Sequence, residues 1–361
     1  MPHYVPVIKS KANDIDAIVR SSPLTRTSIK PLFEPPISIE DNQVRTDLSK
    51  AADAILKRLP GIPFYFDPLS FEAEFRQLAS LGRMAQEGKQ VSPTFGVHRL
   101  PSNAHALKHI LHMYSLPLGI RVELQDMDES PEVSWSKIIE FSAKVEVNLS
   151  NIELILDLRY IVADKAKRMS ASILKFITLP PEHLRPRLIT LIGSSAVASV
   201  SGIDIDGQSP VRRVERDVWM EVNFELDGAR TVQFGDYGVL NPDFVFSGPN
   251  PNANAKIRYS HSAFHQIFRG HGLYRPARFD QYHDLAKRVV NSKWFAGDAF
   301  SYGDSYIAAC AACTDGPGNL ATWVKVDTNH HLELVSRQTK LLTSELRTVA
   351  SSTQLTELQR I

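Results

Sequence analysis

The chain has 361 residues, 43% of them hydrophobic and 22% charged, with a formal net charge of +1. That length suffices for one barrel of the usual ~250 residues plus an added segment, and for a sizeable buried core. Near-neutrality gives no overall field toward nucleic acid or an anionic membrane, so direct nucleic-acid binding ranks last among the functions considered.

Two cysteines, Cys310 and Cys313, are too few for a secreted disulfide framework. No apolar stretch approaches the ~20 residues that span a bilayer. Met1-Pro2-His3-Tyr4-Val5-Pro6 lacks the charged-then-apolar order of a signal peptide. The expectation is a cytoplasmic protein without a membrane span.

In chain order, short apolar runs stop on a charged or polar residue, and a helical pattern follows. The runs are Tyr4–Lys9, Ile29–Glu34, Pro63–Asp67, Val91–His98, Leu118–Glu123, Ile152–Asp157, Leu188–Ser194 and Thr231–Asp236. Pro35-Pro36 stops the second run, because proline cannot continue a ladder. Leu48, Ala51, Ala52, Ile55, Leu56 and Leu59 share one face of a helix over 47–59. Asn13-Asp14, Ser70 and Ser102 are expected N-caps. Ile152–Leu158 is the clearest buried strand, and Val211–Glu225 reads as a helix. Strand then helix, about eight times over, predicts an α/β fold: a TIM-like (β/α)8 barrel over 1–240.

Past Tyr237 the rhythm changes. Asn241–Asn254 is rich in Asn, Pro and Gly and marks a boundary. Ile257–Ser260 reads as a strand, Ala263–Arg269 and Phe279–Ser292 as helices, and Ser305–Cys313 as an Ala-rich helix. Ala321–Val326 and His331–Val335 read as strands around Asp327-Thr328-Asn329, with a polar amphipathic helix over Leu341–Ile361. The reading is a C-terminal α+β extension over 241–361 that packs on the barrel or completes it.

In a parallel barrel the last residue of each strand faces one mouth, where chemistry or binding happens. The candidate site residues are therefore Lys9, Glu34, Asp67, His98, Glu123, Asp157, Ser194 and Asp236. Converging carboxylates repel and raise one another's pKa unless a cation relieves them, and oxygen-only ligands suit magnesium or calcium. One reading places such an ion on Glu34, Glu123 and Asp157, with His98 as acid or base and Lys9 or Arg159 as a phosphate clamp. The other pairs the carboxylates with Lys9, Arg121 and Arg159 in a structural polar layer. Gly193-Ser194-Ser195 resembles a phosphate-binding turn after a late strand, and Ser194, Ser195 and Arg159 are the candidate holders of a phosphorylated small molecule. Cys310-x-x-Cys313 with His330-His331, and the spaced pair His261 and His265, read as packing and capping residues ahead of a zinc site.

Several segments together resemble one family: Tyr4-Val5-Pro6-Val7-Ile8-Lys9-Ser10-Lys11, Pro31-Leu32-Phe33-Glu34-Pro35-Pro36 and Gly235-Asp236-Tyr237. Ile257-Arg258-Tyr259, Arg269-Gly270, Ala321-Thr322-Trp323 and Thr328-Asn329-His330-His331 continue the set. The chain is similar to the Beta protein family, named after a protein of a satellite phage. That resemblance implies a role in phage–bacterium conflict: restraining a killing protein encoded beside it, in a toxin–antitoxin-like defence cassette. It brings no catalytic residues with it. Two function classes follow. One is a barrel-shaped regulator that holds a partner toxin or effector at its mouth. The other is a metal-assisted phosphodiesterase or nucleotide hydrolase.

Overall fold

The computed structural model describes residues 3–40, 43–69, 74–128, 130–227, 230–243, 253–273 and 278–350. The chain opens with strand β1 (Tyr4–Lys9), helices α1 (Ala12–Val19) and α2 (Pro23–Ser28), and strand β2 (Leu32–Glu34). A hairpin of β3 (Ile37–Glu40) and β4 (Gln43–Thr46) precedes α3 (Leu48–Arg58) and β5 (Phe64–Phe66). Then come α4 (Glu74–Gln86), β6 (Val91–Gly96), α5 (Ala104–Met113), β7 (Leu118–Glu123), α6 (Leu124–Asp128) and α7 (Pro131–Lys144). β8 (Ile152–Tyr160), α8 (Ala166–Thr178), β9 (Leu188–Ser194), β10 (Gln208–Arg212), α9 (Val214–Glu225) and β11 (Val232–Asp236) follow. The last part holds β12 (Asn254–His261), β13 (Phe264–Gly272), α10 (Gln281–Val290), α11 (Tyr302–Ala311) and α12 (Leu320–Ala350).

Eight of the strands close a parallel barrel in the order β1-β11-β9-β8-β7-β6-β5-β2. All eight apolar runs of the sequence supply one of them. Strand alternation divides their side chains between two environments. Val5, Val7, Leu32, Tyr65, Ile155, Ile192 and Tyr237 fill the lumen as one cluster. Their neighbours Tyr4, Ile8, Phe33, Phe64, Phe66, Leu154 and Leu156 face the helices in the main core. Glycine is required at two points of this wall. A Cβ on Gly235 would lie 2.6 Å from the Val5 carbonyl oxygen, and one on Gly119 would collide with Thr94. Helix starts are fixed locally: the side chains of Ser22, Asp47, Asn103 and Ser301 each accept a backbone N–H of the first turn. Asn103 therefore does the work expected of Ser102. The expected cap Ser70 lies outside the described residues. Asp14 sits inside the first turn of α1, where Lys11 is the N-cap residue and gives no side-chain bond.

A second core lies beyond the barrel. β10, β13 and β12 form an antiparallel sheet, and α10, α11 and α12 pack with it around Tyr259, Tyr282 and Trp323. Three expectations for this region need correction. Ala263–Arg269 is a strand, and Val211–Arg212 belongs to β10 before the helix begins. The two strands expected over 321–335 are one helix, α12, which absorbs the expected helix up to Ala350. Residues 326–333 of α12 are buried on every side, wedged between the two cores. Trp323 and Val326 belong to one core, Leu332 and Val335 to the other. A helix buried all round shows no polar face, so its sequence lacks the amphipathic period.

Candidate functional site

At the C-terminal end of the barrel one arginine organises the lumen. Arg121 comes from the middle of β7 and is 1% exposed. Its Nη1 donates to Glu34 Oε1 at 2.7 Å and Asp67 Oδ2 at 2.9 Å. Its Nε and Nη2 donate to Asp157 Oδ2 at 2.9 and 2.6 Å, and Nη2 also reaches the Tyr237 hydroxyl at 2.6 Å. Each carboxylate has further partners. Lys9 Nζ donates to Glu34 at 2.5 Å. Arg99 grips Asp67 with two bonds of 2.7 and 2.8 Å. The Tyr237 hydroxyl donates to Asp157 at 2.7 Å.

Three strand ends share one local device. Asp67, Asp157 and Asp236 each accept the backbone N–H two residues on, from Leu69, Arg159 and Gly238. Those three residues have φ of 52°, 54° and 61°. Left-handed backbone is costly for leucine and arginine, and it persists where surrounding contacts over-determine it. The aspartate at the strand end thus fixes both its own carboxylate and the start of the loop.

The electrostatics follow from burial and pairing. Burial opposes the charge on Glu34, yet Lys9 and Arg121 outweigh it and hold the carboxyl well below the usual range. Burial likewise opposes charge on Asp67, and Arg99 and Arg121 win. Burial pushes the Tyr237 hydroxyl far up, so it stays a neutral donor. The result is a charge-paired polar layer under a rim of partly exposed cations. Side-chain exposure is 17% for Lys9, 13% for Arg99 and 35% for Arg159.

Asp236 is not part of this layer. Its strand parity turns it outward, and Tyr237 takes the lumen position. Asp236 instead accepts from the Tyr4 hydroxyl at 2.7 Å and meets His331 Nε2 of α12 at 2.9 Å. The chain of contacts continues through His331 Nδ1, Ser260 Oγ at 2.7 Å, and His265 Nδ1 at 3.0 Å. Burial lowers the pKa of both histidines, so each is neutral. A carboxylate only accepts, so His331 carries its proton on Nε2 and takes the Ser260 proton at Nδ1; His265 Nδ1 then donates to Ser260. This Ser-His-Asp order resembles a hydrolytic triad, but Ser260, His331 and Asp236 are each at most 1% exposed. It is a buried clasp joining the barrel to α12 and the β12–β13 hairpin.

The other expected residues fall as follows. Glu123 lies beside Asp157 in the strand register, partly exposed and apart from the Arg121 bonds. His98 sits in a 3-10 turn, 3.5 Å from Asp126, and the next residue, Arg99, is the one that enters the mouth. The turn expected to hold a phosphate is already filled. Ser195 N and Oγ both donate to the buried Glu215, and Ser194 Oγ donates to the Leu240 carbonyl. The residues expected to hold a metal are arranged differently from one another. Glu34 and Asp157 are bridged by Arg121, whose fixed positive charge stands where an ion was expected. Among the described residues no three His, Cys, Asp or Glu side chains are grouped to hold a metal. Cys310 lies near His283, away from His330 and His331.

Comparison with known proteins places this geometry. The Beta protein family matches residues 4–337. The chain belongs to the Beta protein family. No curated protein matches the sequence. Among solved structures, an enolase protein from Sargasso Sea environmental sequencing is 10% identical at a TM-score of 0.31, covering 77% of this chain and 64% of that one. The chain therefore spans less than two thirds of that protein's length. An F420-dependent secondary alcohol dehydrogenase is 7% identical at 0.31, covering 66% and 94%. A chitinase from Chromobacterium violaceum is 10% identical at 0.31, covering 91% and 99%. Likeness this slight carries no argument about activity, and the barrel rests on this chain's own strand pairing. Among the described residues no helix is long and apolar enough to cross a membrane.

Proposed function

We propose that this Beta family protein is the restraining component of a phage-related cassette, and that it holds a protein partner encoded nearby at its barrel mouth. One observation carries the reading: the three buried carboxylates of the mouth, Glu34, Asp67 and Asp157, are already paired with fixed cations. Glu34, Asp67 and Asp157 have Arg121 in common, with Lys9 and Arg99 in addition. Such groups are poor general bases and poor metal ligands, because their lone pairs are already spent on arginine, lysine and tyrosine donors. They form instead a rigid, preorganised platform, which is what a recognition surface needs. The hydrolase alternative calls for uncompensated carboxylates, and Glu34, Asp67 and Asp157 are compensated.

Arg159 is the rim cation best placed to meet a partner. Its guanidinium bonds the Pro242 carbonyl and Asp243 while remaining 35% exposed. The test is co-expression of the protein with its genomic neighbour, using wild type and Arg159→Glu. The expected result is loss of restraint and at least ~tenfold weaker co-purification, with the variant still folded by circular dichroism. Full restraint and full affinity in the variant would remove the mouth from the partner interface.

A further inference from the structure

A small crevice opens beside the mouth, between β1, the first turn of α1, the segment after β11, and α12. Val7, Ile8 and Leu240 give it apolar walls, and Lys9, Asp14, Tyr237, Asn241 and Thr328 are its polar groups. Asp14 is the informative one. It is only 7% exposed, and among the described residues no hydrogen bond or contact ion pair reaches its carboxylate. No donor among the described residues satisfies this carboxyl at the crevice, so its donors come from water or from an incoming group. The neighbouring charges do not supply one. Lys9 spends its ammonium on Glu34, and Lys9 and Lys11 act on Asp14 only through space. The facing groups on the other elements, Tyr237, Asn241 and Thr328, carry no charge. Burial raises the Asp14 pKa to about 6 in spite of both lysines, so the group is largely ionised at neutral pH and poorly compensated. The crevice offers about 30 Å³ of free space, which takes a water-sized head group and excludes a metabolite.

We propose that this crevice receives the side-chain ammonium of a lysine on the partner protein, which donates to the Asp14 carboxylate while its methylene stem crosses the lip of Val7, Ile8 and Leu240. Size, charge and wall chemistry agree on that occupant. An ammonium matches a water in volume and brings the charge the carboxylate lacks. The apolar lip suits an aliphatic stem, as long charged side chains bury their methylenes along apolar surface. The assignment rests on the partner-binding reading for the owner of the lysine. Its test uses this protein alone, so the two can fail separately.

The test is carbon-detected NMR of the intact protein with its aspartate carboxyls labelled, titrated with the peptide acetyl-Gly-Lys-Gly-amide. The lysine peptide is expected to shift the Asp14 signal saturably and to lower its titration midpoint by about one unit, a tenfold effect. The same peptide with its lysine Nε-acetylated should need at least ~tenfold higher concentration, since a charge-assisted bond is lost. Asp14→Asn, nearly isosteric, should abolish the lysine preference, and Asp14→Ala serves if the first variant folds poorly. The assignment is overturned if the lysine peptide leaves the Asp14 titration unmoved, or if the acetylated peptide acts equally. It is also overturned if ammonium or potassium chloride saturates the signal at the same concentration, which would make the crevice an inorganic cation site. Any of these results leaves the Arg159→Glu test of the mouth untouched.

Discussion

Replacing Arg121 with methionine isolates the interaction that holds the mouth together. The losses are unequal. Glu34 keeps Lys9 at 2.5 Å, and Asp67 keeps both bonds to Arg99. Asp157 loses its contact cation and keeps only the Tyr237 hydroxyl and the Arg159 N–H, at 2.7 and 2.9 Å. The damage therefore concentrates on one fully buried carboxylate. Breaking a buried pair by removing one partner costs about 3–5 kcal/mol, a large share of the ~5–15 kcal/mol by which a folded protein is stable. The assay is urea unfolding of wild type, Arg121→Met, Asp157→Asn and the double variant. The double variant should recover at least half of the single arginine loss, because its remaining amide carries no uncompensated charge. A loss below about 1 kcal/mol, the level of an exposed ion pair, would refute the reasoning. So would a double variant no better than the sum of the two singles.

The remaining predictions concern the supporting structure. Burial raises the Glu215 pKa from the usual carboxylate value to about 7. Its folded form therefore binds a proton that the unfolded chain has released, and its contribution is lost as pH rises from about 4.5 toward 7. Glu215→Gln keeps an acceptor for Ser195 and should gain up to roughly 3 kcal/mol on wild type between pH 5 and 8, read by urea unfolding; a pH-independent difference would contradict this. His331 and His265 act in the opposite sense: burial lowers both, so their share of stability is present above about 6.5 and is lost as pH falls below it. Gly235→Ala places a Cβ against the Val5 carbonyl and the Ile192 side chain, and should cost about 1–3 kcal/mol; an unchanged melting temperature would show that the barrel wall is looser than described.

Much of the barrel was legible because parallel strands are buried on both faces and read as unbroken apolar runs. Each run from Tyr4–Lys9 to Thr231–Asp236 found its strand. The site was legible in part, for reasons of parity. Lys9, Glu34, Asp67 and Asp157 end their apolar runs facing inward, and they meet at the mouth. Asp236 ends its strand one residue out of phase, so Tyr237 reaches the lumen in its place. His98 and Arg99 differ by the same single step. Arg121 was visible as a charge inside an apolar run, flanked by Gly119 and Glu123 at the period of two, and it entered only as a partner in the polar-layer reading. The least legible part was 326–333. Asp327, Thr328, Asn329, His330 and His331 look like a loop between strands, because polar residues in series usually mark a surface. In the fold each is paired or buried between two cores, so the local pattern reports tertiary context and not secondary structure.

Arg121 neutralises the carboxylates Glu34, Asp67 and Asp157 of the mouth. Manganese binding to the intact protein, followed by electron paramagnetic resonance, tests it most directly, with Glu34→Gln and Asp157→Asn as controls. The arginine pairing predicts no stoichiometric site at millimolar manganese that depends on either residue. A tight one-to-one site that disappears in both variants would contradict it and return the mouth to metal chemistry.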